Sequence, residues 1–101
     1  MSRRIHWEVT TAEAKAMQHK LGGELLSKVV HPEQLGESIR KFKAGEITTL
    51  VCDHTMMTGW RVEGNDIDIT FGRDWGEGDS QARRQAIERV KRVPLAPGQL
   101  F

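Results

Sequence analysis

The sequence predicts an α/β fold: one lobe of three layers, with a mainly parallel sheet of four to five strands and helices on both faces. Three observations carry this. Short β-branched and apolar runs alternate with longer segments of helical periodicity, the signature of successive βαβ units. The run Ile47 to Cys52 is apolar and β-branched, as a strand covered on both faces of a parallel sheet has to be. Gly22-Gly23 and Ala44-Gly45 stop two of the helical segments, and Pro32 starts one.

Each element has a local reason. Ile5 to Val9 reads as the first strand. Thr10 and Glu13 then have the spacing of a capping box, in which the hydroxyl takes a free amide at the helix start and the carboxylate reaches back. The helix that follows puts Ala14, Met17 and Leu21 on one face. It ends at Gly22-Gly23, because glycine accepts the left-handed cap conformation without penalty. Leu25 to Val30 is a second strand. His31-Pro32 opens a second helix, with proline where its missing N–H costs nothing, and Leu35, Ile39 and Phe42 form the apolar stripe.

Ile47 to Cys52 is the third strand, and His54 to Gly64 a loop with room for one helical turn. In the fourth strand Ile67, Ile69 and Phe71 alternate with Asp68 and Thr70. Gly72 to Gly78 is a polar connection to the last helix, which Asp79 or Ser80 can cap. That helix is expected to run to about Val93, burying Ala82, Ala86, Val90 and Val93. The domain is thus expected over residues 1–93, with 94–101, broken by Pro94 and Pro97 and ending in Leu100 and Phe101, as a tail.

At 101 residues the chain suits one domain with a modest core. Cys52 is its single cysteine, so no internal disulfide can form, and a reducing, cytoplasmic setting is the natural fit. No apolar stretch approaches the roughly 20 residues needed to cross a bilayer, so no membrane role is expected. The basic Met1-Ser2-Arg3-Arg4 start is not followed by an apolar signal core. His6, His19, His31 and His54 have no metal-ligand spacing, and no metal or cofactor is expected. A nucleophile and base from Cys52 and His54 would share one side of a continuing strand, but Cys52 sits in an apolar run that argues for an inert, buried thiol.

The net charge of +1 says little; its distribution says more. Arg83, Arg84, Arg89, Lys91 and Arg92 crowd one segment, just after the acids from Glu63 to Asp79. Such a stripe suits phosphate contact and equally suits a solvated helix face. Gln85, Arg89 and Arg92, at i, i+4 and i+7, fall on one side of a continuous helix beside its apolar face. Guanidinium groups at such an edge match phosphate oxygens.

Gln85-Ala86-Ile87-Glu88-Arg89-Val90-Lys91-Arg92 has the Gln-x-x-x-Arg-x-x-Arg spacing of motif VI in superfamily 2 helicases. Phe42 to Gly45 followed by Thr49 to Cys52 is similar to the segment leading into motif V, and Asp53 to Gly59 takes the place of its loop. Val9-Thr10-Thr11 is similar to motif IV, and Asp74-Trp75 to the Swi/Snf branch. Over roughly residues 4 to 93 the chain resembles the second, C-terminal RecA-like lobe of these helicases. It departs from the pattern at Asp53, where threonine or serine is common, at Gly59-Trp60-Arg61, and at Glu88.

The resemblance implies Arg89 and Arg92 as arginine fingers acting in trans on a nucleotide held by another lobe, with Gln85 orienting them. It implies nucleic-acid contacts, to DNA or RNA, from Thr10, Thr11, Thr55 and Gly59, with Arg61 adding a phosphate contact. The chain has no Gly-x-x-x-x-Gly-Lys-Ser/Thr loop and no Asp-Glu box, so it is expected not to hydrolyse ATP by itself. Three functions fit: an accessory lobe that binds nucleic acid or completes a separate ATPase lobe; a phage- or mobile-element-type protein that binds a host helicase or nucleic-acid machine, as a decoy or inhibitor, through Met57 and Trp60; and a plain α/β binding domain.

Overall fold

The computed structural model describes residues 2–75 and 81–92; the expected cap at Asp79 or Ser80, Val93 and the 94–101 tail lie outside them. Among the described residues six strands and three α-helices follow in the order β1 (Arg3–Trp7), α1 (Thr11–Leu21), β2 (Glu24–Leu26), α2 (Leu35–Ala44), β3 (Thr49–Cys52), β4 (Val62–Glu63), β5 (Ile67–Phe71), α3 (Gln81–Glu88) and β6 (Val90–Lys91). The main sheet has the order β2-β3-β1-β5 and is parallel throughout. A second, two-stranded parallel sheet joins β4 to β6. The α/β class, the mainly parallel sheet and its four strands are as the sequence predicts.

β3 lies inside the sheet because it is apolar on both sides, and β1 beside it buries Ile5 and Trp7 on one face and His6 and Glu8 on the other. Leu50 and Cys52 point to one face of the sheet and Val51 to the other, and all three are fully buried. Ile5 and Trp7 of β1 pack with Leu50, Leu26 and Phe42 of α2, so α2 covers that face. His6 and Glu8 alternate with them and face the side on which α1 lies against β2 and β3. A right-handed β1-α1-β2 crossover followed by a return through α2 places the two helices on opposite faces in just this way. Ala86 of α3, Val62 of β4 and Val90 of β6 complete the core on the α2 side.

The caps work as expected. The Thr10 hydroxyl accepts the Glu13 amide at 3.1 Å. The Glu13 carboxylate accepts from that hydroxyl at 2.8 Å, so it reaches the cap side chain and not the cap amide. Pro32 begins a 3-10 turn, Pro32–Gln34, that leads into α2, and Gly45 closes α2 in the left-handed conformation. At the amino end of β1, Arg3 ties three segments together. Its guanidinium makes two 2.8 Å bonds to the Asp66 carboxylate, donates to the Phe42 carbonyl at 2.9 Å, and lies over the Phe42 ring. The Arg3 hydrogen bonds hold the Asp66 carboxyl at about 2.

Several expectations are corrected. The first strand is Arg3–Trp7, two residues earlier than Ile5 to Val9, because pairing with β3 and β5 sets its limits. The second strand ends at Leu26 and not Val30: the buried Ser27 hydroxyl accepts the Val29 and Val30 amides and turns the chain. The third begins at Thr49 and not Ile47. The His54 to Gly64 loop contains the strand β4 as well as the expected helical turn, here His54–Met56.

The largest correction concerns the last helix. It stops at Glu88, and Val90–Lys91 pairs in parallel with Val62–Glu63. Val90 lies between two long polar residues, Arg89 and Lys91, and the backbone groups of β4 supply partners that a continued helix would leave unmet. Arg92 is therefore not on the helix, and the Gln85/Arg89/Arg92 stripe does not form. Ala82 is exposed and not buried, whereas Ala86 and Val90 are buried as expected.

Candidate nucleic-acid interface

β1 sends its connection through α1 toward β2, while its neighbour β3 sends its own the opposite way, toward β5. Adjacent strands with diverging connections open a crevice at their carboxyl ends, and open parallel sheets bind ligands there. In this chain that point falls between Glu8–Thr11 and Asp53–Thr55, with Ser27–Lys28 beside it, and hydrogen bonds between the two segments draw it together into a polar edge.

Asp53 fills its base and is fully buried. One carboxylate oxygen accepts the Thr11 hydroxyl at 2.7 Å; the other accepts the Thr55 amide at 2.9 Å and the Thr55 hydroxyl. The Ser27 hydroxyl also donates to it. Burial works to raise this carboxyl, but the bonds from Ser27, Thr55 and Thr11 outweigh it and hold Asp53 below the ordinary aspartate value. The departure from threonine or serine at this position thus turns inward. It joins the ends of β1, β2 and β3, with its oxygens taken up by hydroxyl and amide donors of the chain itself.

Above this base the edge carries donors. The Thr55 hydroxyl accepts the Lys28 amide at 2.8 Å. The exposed Lys28 ammonium reaches the Thr58 carbonyl at 3.1 Å and lies beside Gly59, whose φ of +91° favours glycine. His54 is exposed, with its Nδ1 2.9 Å from the Val9 carbonyl. Of the residues expected at nucleic acid, Thr10, Thr11, Thr55 and Gly59 come to this one edge. Thr11 and Thr55 are engaged with Asp53, and the Thr10 hydroxyl is engaged as the α1 cap. Arg61 does not join them: it shares a shallow groove with Lys43 and Glu63, whose carbonyl is bonded by Arg3. Lys28 and His54 are additions. Both lie just past strand ends, which is the signal that could have found them.

The remaining candidates are placed as follows. The Arg89 side chain is only 12 % exposed. Its guanidinium donates to the Gln85 carbonyl at 3.2 Å and the Trp60 carbonyl at 3.3 Å. Arg92 donates to the Gly64 carbonyl at 3.0 Å. Both arginines thus clamp the β4 segment to α3 and β6. Gln85 is half-buried and lines a shallow groove with Gln81, Arg84 and Glu88. Trp60 donates from Nε1 to the Met56 carbonyl at 2.6 Å, and its ring is 6.2 Å from that of Trp7; Met57 is likewise packed against the core. Arg83 lies 4.4 Å over the Phe71 ring. The basic run is therefore used largely to anchor α3 and β6.

This geometry gives a prediction for Arg89. Arg89→Ala removes bonds to two carbonyls and the packing of its stem, and is expected to cost about 1–2 kcal/mol of folding stability, read by denaturant titration. Arg92→Ala, at an exposed site, is expected to cost under about 0.5 kcal/mol. Equal small effects would show that Arg89 is not a clamp. Cys52 is fully buried, and burial beside Asp53 pushes its thiol well up, so it is expected to resist thiol reagents until the chain unfolds. Rapid labelling of the native protein would contradict this.

The parallel topology and the layers define an α/β lobe of the RecA-like kind. The particular likeness is to a solved chain described as S. cerevisiae Dbp5 L327V bound to RNA and ADP BeF3, with a TM-score of 0.52 and 14% sequence identity over 92% of this chain. The match covers 34% of that chain, so this sequence spans about a third of its length. At that identity the likeness concerns the fold. No family model and no curated protein matches the sequence.

Proposed function

We propose that the chain acts as a helicase second-lobe-like accessory that holds a nucleic-acid backbone along the carboxyl edge of its sheet and leaves nucleotide chemistry to another lobe or chain. The observation that carries this is the convergence of Thr10, Lys28, His54 and Gly59 on one edge at the topological switch point. The RNA bound by the Dbp5 chain named above supports the same reading, as does the order of the segments similar to motifs IV, V and VI. The Swi/Snf branch rests on Asp74-Trp75 alone. Lys28 spends one of its donors on Thr58 and has two more for phosphate oxygens. With no phosphate loop and no Asp-Glu box, the chain hydrolyses no ATP by itself.

Two finer assignments lose ground to the geometry. An arginine finger has to project into a cleft, and Arg89 is turned onto its own chain. Capture of a helicase through Met57 and Trp60 would draw on side chains that already pack against the core.

The test is fluorescence anisotropy with labelled single-stranded RNA, single-stranded DNA and duplex DNA at low and moderate salt. Binding is expected to weaken steeply with salt, with a slope of about 0.7 per phosphate contact on a single strand. Lys28→Glu is expected to weaken it by about tenfold and to lower that slope. Binding that ignores salt, or an unaltered Lys28→Glu protein, would sink the reading.

A further inference from the structure

On the sheet face that carries α1, the helix covers β2 and β3 but leaves the carboxyl half of β1 and β5 open as a cleft of about 490 Å³, within the range of small-molecule sites. Its floor is a chain of polar groups on neighbouring strands. Thr70 Oγ1 lies 2.7 Å from His6 Nδ1, and His6 Nε2 lies 2.6 Å from Glu8 Oε2. Alternation along β1 puts His6 and Glu8 on one face, and the β1–β5 register sets Thr70 beside His6. His6 is 7% and Glu8 4% exposed, so both have given up most of their water.

The floor is held but not satisfied. Glu8 Oε2 has His6 as its partner, whereas Oε1 has no hydrogen-bond partner among the described residues. The carboxyl packs against Gly72, filling the space a side chain there would need. The carboxylate is thereby fixed, with one oxygen left to accept. A carboxylate oxygen on a residue only 4% exposed favours a charged or strongly polar donor.

The walls define the rest of the ligand. Ala16 and Met17 of α1 supply an apolar side. Lys20, one turn further along α1, and Arg73, next to Gly72, bring two cations; both are exposed and neither has an ion-pair partner among the described residues. Because Gly72 touches the Glu8 carboxyl, the Arg73 side chain starts close enough to reach a group seated on Glu8. Glu13 also faces the cleft, but its carboxylate is already bonded to Thr10.

We infer that this cleft binds a small zwitterion of the amino-acid class, with its ammonium on Glu8, its carboxylate between Lys20 and Arg73, and an aliphatic side chain against Ala16 and Met17. A plain amine leaves both cations unpaired. A plain carboxylate leaves Glu8 Oε1 without a charged donor. The cleft borders the nucleic-acid edge at Glu8 but is lined by none of Thr10, Lys28, His54 and Gly59, so either reading can fail without the other.

The test is an NMR titration of the full chain with L-leucine, isopentylamine, which lacks the carboxylate, and 4-methylpentanoate, which lacks the ammonium. Leucine is expected to give saturable shifts at Glu8, Ala16 and Gly72, and each half-ligand to bind at least about tenfold more weakly. Glu8→Gln keeps an acceptor for His6 and is expected to weaken leucine by about tenfold. Arg73→Ala, at an exposed position where folding is not at risk, is expected to do the same. The inference is overturned by any of three results: no saturable shift from any L-amino acid up to about 20 mM, isopentylamine binding as well as leucine, or undiminished leucine affinity in both variants.

Discussion

Replacing Asp53 with alanine is expected to lower the free energy of unfolding by about 3 kcal/mol, roughly 15 °C in melting temperature for a chain of this size. The side chain is fully buried and accepts from Thr11 and Thr55 and from Ser27. Alanine leaves those donors facing a cavity, and an unmet buried donor costs more than the net gain of a met one. Three strand ends are also released at once, since Ser27 follows β2, Thr11 follows β1 and Asp53 follows β3. Asp53→Asn, which keeps one acceptor oxygen but turns an amide against the remaining donors, should fall between the two. Denaturant titration of the three proteins reads this directly. A loss under about 1 kcal/mol for alanine would mean that water replaces the carboxylate and that the strand ends do not depend on it.

The same network sets an acid dependence. The folded Asp53 carboxyl is held below its ordinary value of 3.8, so its contribution is fully present above that pH and is lost as pH falls through the lower folded value. From neutral pH down to about 5 the stability gap between wild type and Asp53→Asn should therefore be flat. Below about 4 it should shrink. A gap that widens with acid would reverse the sign and refute the assignment.

Gly23→Ala is the second change expected to be severe, at about 3 kcal/mol. Gly23 has φ +81°, and a side chain there would run into the Thr49 backbone carbonyl, because the chain enters β2 pressed against the start of β3. Gly45→Ala is the matched control. Gly45 has φ +79° at the end of α2 with open space around it, so alanine there meets only the left-handed penalty of about 1 kcal/mol. Comparing the two melting curves separates close backbone approach from conformational preference. Equal effects would show that β2 shifts away from Thr49 at no cost.

How much of this was legible in the sequence follows from which forces are local. The Thr10 cap, the Gly45 stop and the two-faced burial of Leu50, Val51 and Cys52 depend on neighbours along the chain, and all were readable. Strand ends were less so, because Ser27 cuts β2 short through bonds that periodicity does not show. The candidate edge was half readable. Thr10, Thr11, Thr55 and Gly59 do gather at one end of the sheet, but Thr11 and Thr55 turn inward to a carboxylate whose burial no residue pattern announced. The His6 and Glu8 pair was not read from the sequence. Its meaning depended on Thr70, 64 residues away, arriving beside it.

Taken by itself, the sequence determined the class: alternating strand and helix periods with glycine stops leave a parallel α/β lobe as the way to bury those apolar runs. Only the tertiary structure decided what becomes of the segment after Glu88. Periodicity favoured a longer helix with Arg89 and Arg92 in one row, but the unpaired backbone of Val62–Glu63 drew Val90–Lys91 into a strand. Helical hydrogen bonds are local and strand pairing is not, so a short segment of mixed preference takes the structure whose partners the rest of the fold provides.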